Sequence, residues 1–81
     1  MKFIIHSGVS TSKFIQETPA ATWTINHGLG KILLFDVVAD IDGAKEVIHP
    51  LDVEYSLDLN SIYIRFSKPY SGFVALIDLD N

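Results

Sequence analysis

Three histidines, His6, His27 and His49, are the side chains best suited to hold a transition metal, and no cysteine is present to add a thiolate. They lie 21 and 22 residues apart, a spacing that matches no zinc motif. Serine, histidine and aspartate are all present for nucleophilic catalysis. Yet no serine sits in a G-x-S-x-G elbow, and the histidines fall on strands or beside a turn. Asp40-Ile41-Asp42-Gly43 opens like a calcium loop, with carboxylates at alternate positions and then a glycine. No glutamate closes a twelve-residue loop, so the later ligands are missing. The same four residues read better as a hairpin turn, because Asp-Gly supplies the two positive φ angles of a type I′ turn. No enzyme chemistry, cofactor or metal follows from these residues.

Aromatic residues offer a different chemistry. Trp23 could stack on a sugar ring, or it could be the largest side chain of a small core. Tyr63, Arg65 and Tyr70 could form an exposed aromatic and basic patch for a glycan or a protein, or simply line a solvated sheet face. The stretch TWTINHGLGK places Trp23 and Ile25 on one face of a strand, with Thr22, Thr24 and Asn26 on the other. His27 then enters a turn in which Gly28 and Gly30 permit positive φ.

Such residues must be positioned by strands, since no window shows a helical period. Period-two alternation predicts strands at 3–6, 14–18, 21–26, 32–40, 45–48, 53–57, 61–67 and 73–79. Pro19 is expected to end the second, and 68–72 to form a loop. Ile25, Ile62, Ile64 and Phe66 should face inward, and Phe35, Val37 and Ala39 should share one side of their strand, with Asp36, Val38 and Asp40 on the other. Turn signals every 8–12 residues or so predict an all-β chain: a small antiparallel β-sandwich, immunoglobulin-like or related, of about seven or eight short strands. Residues 1–18 read as a strand or arm, a possible oligomerisation segment, and 19–81 as the sandwich module.

Composition limits the partners. The 81 residues carry six Lys and Arg against ten Asp and Glu, a net charge of −4 with no basic cluster. Duplex nucleic acid is therefore a poor partner. The apolar runs are too short to span a bilayer, and the N-terminus lacks the apolar length of a signal peptide. Hydrophobic residues make up 48% of the chain, with a mean hydropathy of +0.28. That is more than an isolated domain of this size needs, and a subunit interface is the natural place for the excess.

From Trp23 onward the chain resembles a module of tailed-bacteriophage tail fibres and related virion proteins. That module reads W-x-(I/V)-x-H-x-L-(G/N)-(K/R), then a strand with a D-x-x-G turn. It closes with a strand ending in Phe, followed by S-x-P-x-(S/T)-G. Here the positions are Trp23, Ile25, His27, Leu29, Gly30 and Lys31, then Asp40 to Gly43. Ile62, Ile64 and Phe66 follow, then Ser67, Pro69, Ser71 and Gly72. About 57 of the 81 residues are covered, and 1–18 carry no match.

The resemblance implies a compact β-sandwich with a structural role in a tail, fibre, baseplate or head decoration, often trimeric. Its expected partners are copies of itself and other virion proteins, and its expected location is the virion after synthesis in the host cytoplasm. Trp23, Ile25, His27, Gly28, Gly30, Asp42, Gly43, Phe66, Pro69 and Gly72 would then be structural. Phe3, Ile4, Ile5, Phe14 and Ile15 are the expected interface, through exchange of the N-terminal arm. The competing expectation is a carbohydrate or receptor-binding module using Tyr63, Arg65 and Tyr70.

Overall fold

β-branched and aromatic residues alternating with polar ones give the described part of this chain five antiparallel strands. The computed structural model describes residues 9–79. The strands are β1 (Val9–Asn26), β2 (Leu34–Ile41), β3 (Ala44–Ile48), β4 (Asp52–Tyr55) and β5 (Ser61–Leu79). All belong to one sheet, ordered β1-β5-β2-β3, with β4 also paired to β5. The strand expected at 3–6 and the interface residues Phe3, Ile4 and Ile5 lie outside the described residues.

Among the described residues five strands stand where seven were expected, because two expected breaks are strand. The segments at 14–18 and 21–26 are one strand, β1, and those at 61–67 and 73–79 are one strand, β5. Pro19 and Pro69 adjoin the Ala20–Tyr70 pair, one on each strand, in a stretch whose register shifts on either side of that pair, between Gln16–Gly72 and Thr22–Arg65. Neither proline faces a regular ladder position that needs its missing N–H, so both strands pass through. β5 has one more residue than β1 in this interval, and that offset changes which β1 positions face inward. Phe14 pairs with Val74 on one side of it, and Trp23 with Ile64 on the other.

The long ribbon must bend. Nineteen extended residues would reach about 60 Å, whereas the longest dimension of the molecule is 42 Å. Around the bend the sheet has two halves. In one, the first part of β5 lies between β4 and the end of β1; in the other, its last part lies between β2 and the start of β1. Trp23, Ile25, Ile62 and Ile64 from the first half join Val37, Val74 and Leu76 from the second in one buried cluster. The ring of Phe66 meets Trp23 edge-on, with centroids 4.9 Å apart.

Gly72 lies where β5 crosses closest to β2. Its φ is +151°, and a Cβ there would sit 2.0 Å from the carbonyl oxygen of Val38. No side chain fits such an approach. At the β2–β3 turn Asp42 and Gly43 take φ values of 50° and 82°, the two positive angles the sequence anticipates.

Candidate interaction surface

The loop between β1 and β2 ties the two halves together. The amides of His27 and Gly28 both donate to the carbonyl of Asn60, each at 3.0 Å. Further along, the Lys31 ammonium lies 2.7 Å from Asp78, near the other end of β5. Tyr55 of β4 donates its hydroxyl to the carbonyl of Leu33, a buried residue of the loop. His27 completes its own turn, since its Nδ1 accepts the Leu29 amide at 3.0 Å.

No constellation for chemistry assembles here. Among the described residues no three His, Asp or Glu side chains group as a metal site. His49 is exposed, and His27 is engaged by its turn. Asp40 serves the β2–β3 hairpin, accepting from Lys45 and from the Ser71 hydroxyl. Those two bonds, Lys45 first, hold its carboxyl below the usual range. Asp58 shapes the β4–β5 turn in the same way. It accepts from the Ser56 hydroxyl at 2.7 Å and the Asn60 amide at 3.0 Å, and both lower its pKa. An open groove beside the β1–β2 loop is lined by Ser12, Lys13, Phe14, Thr24, Asn26, His27 and Leu29.

Trp23 is fully buried, and its Nε1 donates to the carbonyls of Ala20 and Tyr70. It therefore offers no platform to solvent. Tyr63 and Arg65 do share the outward face of the first half. Tyr70 does not join them; its ring stands edge-on to Phe66 and packs against the core. Arg65 is already engaged, at 2.6 Å from Asp52 and 2.9 Å from Glu54. Glu54 first, then Asp52, raise the pKa of its guanidinium further. With Thr22 and Thr24 alongside, this outward face is polar.

The outward face of the second half differs. Register places Ile15, Phe73, Val38 and Val47 side by side across all four strands. Ile15 is 60% exposed and Val47 68%, and Phe73 and Val38 are half-buried. A parallel row holds Ile77 and Leu34, the latter also exposed. Of the expected interface residues inside the described range, Ile15 belongs to this surface and Phe14 packs against the core. Sequence reasoning named Ile15 but missed Val47, Leu34 and Val38. Their alternation was legible; their adjacency to Ile15 depends on register across four strands.

No family model matches the chain, and neither the curated proteins nor the solved structures include a match.

Proposed function

We propose that this chain is a non-enzymatic structural subunit of a phage virion, working through association with copies of itself and with other virion proteins. On this reading the two halves of the bent sheet are the layers of a small β-sandwich, as the single shared core supports. The observation that carries the proposal is the contrast between its outward faces. One is polar and internally ion-paired; the other presents apolar side chains from four adjacent strands. A single exposed leucine is ordinary on a soluble protein, but a contiguous apolar surface marks an interaction site. The resemblance of residues 23–79 to tail-fibre modules supplies the virion context.

Light scattering after size exclusion tests the association. A mass above that of one chain at micromolar to submillimolar concentration is the expected result, and a monomer throughout refutes it. Detection of the chain in density-purified particles of the phage that encodes it tests the virion assignment.

A further inference from the structure

We infer that the apolar outward face binds a second copy of this chain face to face, about a two-fold axis running along β5. The inference rests on the self-association proposed above and says which surface carries it and how the two copies sit. It comes from the charge pattern between the apolar rows. Lys13 of β1, Ala75 of β5 and Asp36 of β2 lie in register across the sheet. Lys13 and Asp36 are exposed, with opposite charges and β5 between them. A two-fold axis along β5 exchanges left for right. It therefore sets Lys13 of each copy over Asp36 of the other, and both ion pairs form at once. An isologous contact requires this kind of self-complementarity.

The rows on either side obey the same operation. Ile15 falls opposite Val38 of the second copy, and Phe73, on the axis, meets its own counterpart. Ala75 at the centre is small enough to let the sheets approach. Lys13 already leans over the Phe73 ring, with its ammonium 4.7 Å from the centroid, so its charge lies at the contact. The rotation lays β1 and β2 of one copy over β2 and β1 of the other and leaves β3 outside, so the footprint is about three strands wide and six residues long, or on the order of 300 Å² per copy. That is well under half of a standard interface, which places the dimer in the weak class.

The experiment is sedimentation equilibrium from about 1 to 500 μM on the full chain and on two charge reversals, Lys13→Glu and Asp36→Lys. The wild type should pass from monomer to dimer within this range. Each reversal alone should move the midpoint at least tenfold higher, since it places like charges opposite one another twice. An equimolar mixture of the two variants should recover wild-type dimerisation, because the heterodimer restores both ion pairs. Both positions are exposed, and unchanged Trp23 emission confirms that each variant is folded. A wild type that stays monomeric overturns both this inference and the self-association beneath it. A wild-type oligomer that neither reversal weakens, or single variants that the mixture does not rescue, overturns this face alone.

Discussion

Replacing Gly72 with alanine should cost more than the same change at Gly28, Gly30 or Gly43. Two effects add. Its φ of +151° lies in a region that residues with a side chain rarely adopt, which costs about 1–3 kcal/mol. The new methyl would lie 2.0 Å from the Val38 oxygen and 2.8 Å from the Ala39 Cα. Those atoms are backbone, so relief requires β2 to move by about 1 Å against its pairing with β5. Overpacking of this kind costs about 1–3 kcal/mol, and together the effects reach about 2–6 kcal/mol.

For 81 residues the unfolding entropy is about 170 cal/mol/K, so each kcal/mol lowers Tm by about 6 °C. Gly72→Ala should therefore lose about 12–36 °C, a large share of the total stability of so small a domain. Gly28→Ala is the control. Its φ is +69° with nothing within 4 Å of the added methyl, so backbone strain alone acts, about 1–2 kcal/mol or 6–12 °C. Thermal unfolding followed by circular dichroism compares the two. Equal losses would refute the close approach of β5 to β2.

Trp23→Phe should destabilise by about 2–4 kcal/mol, because it leaves a cavity and orphans two carbonyls, those of Ala20 and Tyr70; a urea midpoint within error of wild type would contradict this. In the native protein Trp23 emission should be blue-shifted and insensitive to acrylamide, as its complete burial requires. Asp40 and Asp58 have pKa values lowered by folding, so each contributes stability that is fully present above the ordinary carboxylate pKa and lost as pH falls through the folded value. Tm should therefore begin to drop below about pH 4, and Asp58→Asn should shallow that drop; an identical acid slope in the variant would count against the assignment. Arg65→Met should leave the urea midpoint close to that of the wild type, since its ion pairs are solvent-exposed, and a clear loss in chemical denaturation would show that they are worth more than their exposure allows.

The sequence reading succeeded where local pattern decides structure. Trp23, Ile25, Ile62, Ile64 and Phe66 alternate with polar neighbours, and all five are buried. Asp42-Gly43 is a local signal for one turn type, and the turn has the angles it implies. The reading failed where a strand tolerates a residue that would normally stop it. Pro19 looks like a terminator in one dimension. The irregular register around the Ala20–Tyr70 pair, which lets the strand pass Pro19, exists only in the folded sheet. The apolar outward face was half legible for the same reason. Ile15 and Val47 are 32 positions apart in sequence, and only the pairings through Phe73 and Val38 make them members of one row.

The placement of β5 also sets a schedule for synthesis. It is the fifth strand in chain order, yet β1, β2 and β4 all pair with it. The β2–β3 hairpin can close between near neighbours as soon as it emerges. β1 has no such option, because the partner of Trp23 is Ile64, 41 residues later. At about 5–20 residues per second, a ribosome leaves the apolar side chains of β1 without their strand partner for roughly 2–8 s. Folding of this chain is thus gated by the arrival of one segment, and the nascent chain must keep β1 from pairing with a neighbour on the same message until that segment appears.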